Sequence, residues 1–346
     1  MKRVQKLNTP IHFHSFSAVG GYEESRGKLG DSFDLCDKSD MFGQKTAEMA
    51  EGEMAKCAFN IALQKGGLSH SDIGLMAAGD LQNQCVATAL GLSSFKIPFL
   101  GIYGACSTCT EGLLLMASFL NSSYTSVAAS VTSSHNSAAE RQFRTPLEYG
   151  GQRSPSAQWT STAAGAFVLS SKPPKDKSTA AFITEIMPGR IIDGVITDGS
   201  NMGGAMAFAA ADSIISYFEE SEVSPSDFDY IVTGDLGRVG SDILGEILKD
   251  KLPAAAMRHT DCGLLLYDGE IQDVHSGASG CGTSASVLAS HFLPMLEKGE
   301  IKNILFLSTG ALMSASSVLQ GNSIKGIAPL IRIESVNLKK LPYKSY

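Results

Sequence analysis

The sequence predicts an α/β protein of two similar halves, residues 1–171 and 172–346, each a run of βαβ units with helices on both faces of its sheet. Three observations predict it. First, Leu68–Leu81 aligns without gaps on Val223–Leu236, and six of the fourteen positions are identical: Ser69/Ser224, Ser71/Ser226, Asp72/Asp227, Gly79/Gly234, Asp80/Asp235 and Leu81/Leu236. Second, each copy follows a long stretch with helical spacing and runs through a turn into a short apolar strand ending in Gly-Asp. Third, later landmarks recur in the same order, with 26 residues from Cys106 to Thr132 and 27 from Cys281 to Ser308.

Along the first half, His12 and His14 alternate with Ile11 and Phe13, which puts the histidines on the polar face of a first strand. Gln44–Lys65 carries Ala47, Ala50, Met54, Cys57, Ala58 and Ile61 at helical spacing. Phe99–Cys106 reads as a buried strand running straight into a helix, Ser107–Leu120. Ser126–His135 is a strand with a small polar finish, Thr162–Ser170 closes the half, and Pro173-Pro174 with a charged run marks a linker near residue 172. In the second half Met202–Glu219 is an alanine-rich helix closing on Ile214, Ile215 and Phe218. Asp273–Cys281 is the expected counterpart of the Phe99–Cys106 strand, leading into a helix Gly282–Leu293; Asn303–Gly310 and Gly326–Glu334 complete the half.

The chain has ample apolar material for a large core, 43% of 346 residues. Its net charge of −7 disfavours nucleic-acid and acidic-membrane binding, so an anionic ligand must meet a local cluster of donors. No apolar run approaches the roughly 18 residues of a membrane-spanning helix. The start, MKRVQKLNTPIHFHSF, lacks the apolar region of a signal peptide, so synthesis in the cytosol without membrane insertion is expected. Seven scattered cysteines without paired C-x-x-C motifs read as free thiols, with neither a metal site nor a cofactor implied.

Cys106 stands where a strand ends in Gly-Ala and a helix begins. The positive end of a helix and its unpaired N–H groups favour thiolate there, and the same groups suit a carboxylate ligand, so acyl transfer and anion binding both remain open. Cys109, one turn on, is expected in the core, and Cys281 is the structural counterpart of Cys106 in the second half.

Ala105-Cys106 opening a helix, together with the small-residue strand Thr160–Leu169, resembles the thiolase superfamily and within it the ketoacyl-synthase-III-type condensing enzymes. The resemblance implies a five-layered αβαβα arrangement, a homodimer, and Cys106 as the ancestral nucleophile position. It also implies two further polar groups, His with His or Asn, to stabilise an enolate and a thioester oxyanion. Gly234 and Asp235 stand at the first of those positions, Cys281 and Gly282 at the second. A carboxylate at Asp235 would repel an enolate, so Claisen chemistry is not expected.

Longer strings narrow the resemblance. Gly79–Asn83, Gly104–Thr108, Thr132–Asn136, Ala139–Arg144, Glu148–Gln152, Asp261–Leu264 and Ser279–Cys281 are similar to the stage V sporulation protein AD family. That resemblance implies a non-catalytic thiolase fold that binds dipicolinic acid (pyridine-2,6-dicarboxylate), alone or as its calcium complex. It further implies work with the other SpoVA channel proteins in uptake into the developing spore and release at germination, and peripheral association with the spore inner membrane through those partners.

A flat dianion needs bidentate donors and a slot for its ring. The expected ligand-binding set is Cys106, Ser107, His135, Asn136, Arg141 and Arg144, with Asp80, Asn83, Asp235 and Cys281; Arg153 follows, interleaved with Phe143, Tyr149 and Trp159. Plainer roles stand beside these. Arg141 and Arg144 could pair with Glu140 and Glu148 on the surface, and His135 could be structural. Asp80 and Asp235, ending equivalent strands and facing one another across a pseudo-two-fold axis, fit capping of the next turn better than calcium ligation. Two other functions fit the pattern, an acyl-CoA or acyl-carrier-protein condensing enzyme using Cys106, and a scaffold with no small ligand.

Overall fold

The computed structural model describes residues 2–143, 153–174 and 178–338; Arg144, Glu148 and Tyr149 lie outside them. The first half contributes β1 (Gln5–Gly20), α1 (Ala47–Gly66), β2 (Leu75–Gly79), α2 (Val86–Leu92), β3 (Phe99–Gly101), α3 (Thr108–Asn121), β4 (Val127–Ser134), α4 (Asn136–Phe143) and β5 (Ala163–Ser170). The second contributes β6 (Thr179–Met187), α5 (Met202–Glu220), β7 (Tyr230–Thr233), α6 (Gly237–Lys251), β8 (His259–Asp261), α7 (Cys281–Val287), α8 (Leu293–Lys298), β9 (Asn303–Leu307) and β10 (Leu330–Asn337).

The duplication read in the sequence reappears as pairing. The strands run β3-β2-β4-β5-β1 in one set and β8-β7-β9-β10-β6 in the other. In each, the first three are parallel and the last two antiparallel to their neighbours. β1 pairs β6 antiparallel, His12 opposite Phe182, and so joins the sets. The aligned segments fold alike: Asp72 accepts the N–H of Ser69 at 2.8 Å and Asp227 that of Ser224 at 2.8 Å, each closing a short 3₁₀ turn before its strand.

Helices and sheets alternate in five layers. α1 packs on β1, β4 and β5, with Met54, Ala58 and Phe59 against Val131, Ala166 and Val168. α3 touches β2 and β4 on one side and β10 on the other, and it shares the central core with α7 and the segment that follows it. Met206, Ala210 and Ile214 of α5 cover Ile231, Leu305 and Leu307 on the far face. Cys109 is buried in the central core.

Three expectations are corrected. The Phe99–Cys106 strand is only three residues long and lies exposed at the edge of the sheet. Asp273–Cys281 does not form its counterpart: His275, Gly277 and Gly280 have φ of 49°, 112° and 101°, outside the strand region, and only Ala278–Ser279 pairs, with Trp159–Thr160. The topological counterpart of β3 is β8. His12 is fully buried rather than on a solvated face, because that face of β1 is covered.

Candidate functional site

The turn into α3 is built from Gly104, Ala105 and Cys106. Ala105 takes a left-handed backbone (φ 52°), a costly conformation for a residue with a side chain and one that clusters at functional positions. The small side chains hold the turn together. Ser107 Oγ donates to the Gly104 carbonyl at 2.6 Å, Thr108 Oγ1 donates to the Ala105 carbonyl at 2.7 Å, and the Gly104 N–H donates to Thr108 Oγ1 at 3.1 Å. The N–H groups of Ser107 and Thr108 turn back onto the Gly104 and Ala105 carbonyls. The thiol therefore gains little from the helix start.

Cys106 is buried, and its thiol lies beside the Asp235 carboxylate. Burial, then the charge of Asp235, pushes the thiol well above its ordinary pKa, which corrects the expectation of a helix-stabilised thiolate. Burial raises Asp235 itself to about 7, opposed by the Cys106 thiol and the Gly280 N–H at 2.8 Å; Thr309 Oγ1 donates to its other oxygen at 3.0 Å. Cys281 packs beside Cys106 with Leu81, Ala139 and Phe143, and its S–H donates to the Ser133 carbonyl at 3.0 Å. Backbone closes the alternatives: a Cβ at Gly234 would meet Ser308 Cα at 2.9 Å, and one at Gly282 would meet the Ala163 carbonyl oxygen at 2.2 Å. Cys106, Cys281 and Asp235 thus form a buried cluster of two thiols and a carboxylate.

A second site lies on the other side of α4. Asn136, Ser137, Glu140 and Arg141 on its outer face line a groove of about 640 Å³, which is closed by Met41, Lys45, Glu48, Arg153 and Trp159 and meets the first residues of α1. The Arg153 guanidinium lies 5.0 Å over the Trp159 ring, and its Nη2 donates to the Asp273 carbonyl and pairs with its carboxylate at 3.0 Å. Arg153 Nη1 is buried without a hydrogen-bond partner among the described residues. Arg141 reaches Glu48 at 2.6 Å and the Ser137 carbonyl at 3.0 Å, and Glu140 accepts from Thr160 Oγ1 at 2.9 Å.

The expected ligand residues therefore divide. Cys106, Asp235 and Cys281 meet in the buried cluster; Asn136 and Arg141 meet in the groove. Asn136 is fixed by its own bonds, its N–H to Thr162 Oγ1 at 3.1 Å and its Nδ2 to the Thr160 carbonyl at 3.0 Å. His135 is buried; its Nε2 donates to the Asp40 carbonyl at 3.0 Å, its Nδ1 has no partner among the described residues, and burial lowers its pKa. Asp80 accepts from the N–H groups of Gln82 and Thr88 and from Thr88 Oγ1, all within 2.9 Å, and so braces the start of α2. Asn83 donates its N–H to Gln142 Oε1 at 2.9 Å, and Ser107 spends its hydroxyl inside its own turn. Among the described residues no group of three or more His, Cys, Asp or Glu side chains is placed to hold a metal ion. Sequence reasoning missed Lys45 and Glu48, which enter the groove from nearly a hundred positions upstream of α4; only Thr46, a helix-capping residue type, hinted that α1 begins there.

The fold is thiolase-like. A solved structure of a histidine-to-aspartate variant of OleA from Xanthomonas campestris covers 95% of this chain and 100% of its own, at 12% identity and a TM-score of 0.60. The 3-oxoacyl-[acyl-carrier-protein] synthase III of Aquifex aeolicus VF5 covers 93% and 99% at 15% identity and a TM-score of 0.57. The chain belongs to the Stage V sporulation protein AD (SpoVAD) family, whose sequence profile matches residues 1–334. The Stage V sporulation protein AD of Bacillus subtilis (strain 168) is 41% identical over 327 residues, 94% of this chain and 95% of that protein. Among the described residues no helix is long and apolar enough to cross a membrane.

Proposed function

We propose that this sporulation protein binds dipicolinate, alone or with calcium, in the groove between α4 and the start of α1, and that it performs no chemistry on it. On this reading it serves the SpoVA channel proteins in uptake and release of the compound and meets the spore inner membrane only through them. The observation that carries the proposal is Arg153: a guanidinium stacked on an indole, with one buried Nη1 donor unmatched, in a groove that also holds Arg141 and Lys45. A flat ring suits the Trp159 face, and carboxylates suit planar guanidinium forks and helix-start N–H groups. In a chain of net charge −7 the groove brings together Lys45, Arg141 and Arg153, with Glu48 and Glu140 also in its lining.

Calorimetric titration with dipicolinate and with its calcium complex tests it. Arg153→Ala is expected to weaken binding by roughly ten-fold or more, the scale of one charge-assisted contact. Cys106→Ala, behind α4, is expected to change affinity by less than roughly two-fold. Silence of the wild type toward both forms would overturn the proposal. The condensing-enzyme reading draws support from the fold and from Cys106. It requires an acyl adduct on Cys106 after incubation with acyl-CoA, and mass spectrometry is expected to find none.

A further inference from the structure

We propose that Asp273 is a built-in competitor for the Arg153 guanidinium, a carboxylate of the second half that holds down the affinity of the groove for anions; the proposal rests on the groove reading above. The stretch that carries Asp273 is laced to the groove wall by main-chain bonds. The Ser276 N–H donates to the Ala157 carbonyl at 3.0 Å, the Trp159 N–H donates to the Gly277 carbonyl at 2.9 Å, and Ala278 pairs with Trp159 in parallel register. The left-handed backbone at His275 (φ 49°) belongs to the same stretch, and a residue with a side chain keeps that geometry only where its surroundings enforce it. Asp273 meets Arg153 with both its main chain and its side chain. Arg153 Nη2 donates to the Asp273 carbonyl and lies 3.0 Å from carboxylate Oδ2, while Oδ1 lies 2.9 Å from His275 Nε2. The carboxylate is thus held from two sides, although its side chain is 84% exposed.

A guanidinium grips a carboxylate best through two parallel N–H groups, one to each oxygen. At Arg153, Nη2 already faces a carboxylate, and Nη1 is buried and unmatched among the described residues. A dianion entering the groove must share the fork with Asp273 or displace it, and sharing sets like charges close together. The carbonyl bond is separate. It does not depend on the Asp273 side chain, so the guanidinium keeps its seat over Trp159 when the charge is removed. Asp273 touches no ligand in this scheme and acts through Arg153.

The experiment is calorimetric titration of the full chain and of its Asp273→Asn variant with dipicolinate, each at low and at high salt. The substitution keeps the shape and the main-chain carbonyl and removes the charge, at an exposed position where folding is not at stake. Asp273→Asn is expected to bind roughly three-fold tighter or more at low salt, the scale of one exposed ion pair. The gain over wild type should shrink toward nothing at high salt, because an exposed charge is screened. A residue that merely anchors Arg153 would give the opposite sign. Equal or weaker binding by the variant, with clear heat from the wild type, overturns the competitor and leaves the groove standing. A gain that salt does not reduce overturns it as well, since its cause would not be the charge. Silence of both proteins defeats the groove and the competitor together, whereas heat from the variant alone upholds the competitor and defeats the reading of the wild type as a binder.

Discussion

Glu24 is shut away between the two halves, accepting the Thr162 N–H at 3.0 Å, the Gly21 N–H at 3.1 Å and the hydroxyl of Tyr267. Burial outweighs those bonds and raises its pKa from 4.5 to about 7. A folded-state value above the unfolded one means that the native protein binds the proton more tightly. The stabilisation is complete below pH 4.5 and is lost as pH rises through 7, at about 1.4 kcal/mol per unit of pKa difference. Glu24→Gln cannot titrate. Urea unfolding from pH 4.5 to 8 is therefore expected to show wild-type stability falling more steeply than that of the variant, with the difference flattening above pH 8. Parallel curves would mean that the carboxyl is ionised throughout. Asp235, also raised to about 7, titrates in the same window but remains in both proteins, so the difference isolates Glu24.

Among elements, the start of α2 shows what the repeated Gly-Asp motif does. Asp80 gives both carboxylate oxygens to the turn and helix after β2, whereas Asp235 gives its oxygens to Gly280 and Thr309 beside the Cys106 thiol. One motif has become a brace and the other part of the buried thiol cluster. Asp80→Ala leaves buried donors without an acceptor, so a loss of about 2 kcal/mol or more in urea melts is expected. An unchanged melt with lost dipicolinate affinity would instead make Asp80 a ligand. The repeat and its spacing were enough to anticipate the two matching strand sets, because apolar runs between turn residues constrain a sheet strongly. Cys106 at the head of α3 was legible for the same reason. The strand expected at Asp273–Cys281 was not, since the left-handed backbone at His275 leaves no mark in hydropathy. Nor was the groove: Lys45, Glu48 and Arg153 share no periodicity with α4 and meet it only through the tertiary fold. The inward face of α4 was misleading in another way, since Ala139 and Phe143 gave no sign that they separate the thiol from the arginine beside them in sequence.

At the scale of the whole molecule, the two strand sets match in order but differ at their outer edges. β8 ends one side with His259, Thr260 and Asp261, which are tied to Thr233 through its hydroxyl. β3 ends the other with Phe99 and Leu100 exposed, flanked by exposed Tyr103 and by Val86 and Leu90 of α2. An open apolar edge strand invites uncontrolled pairing unless something covers it. A second copy of the chain meets the need, because a two-fold axis lets β3 pair antiparallel with itself and sets the same apolar residues against each other. The protein is therefore expected to be a homodimer across β3. Light scattering behind size-exclusion chromatography should give twice the chain mass of 36.5 kDa. Leu100→Asp should give the single-chain mass with an unchanged circular dichroism spectrum, since the side chain is exposed in the monomer and the charge opposes only the pairing. A monomeric wild type at micromolar concentration, or a variant that stays dimeric, would show that the edge is covered in another way.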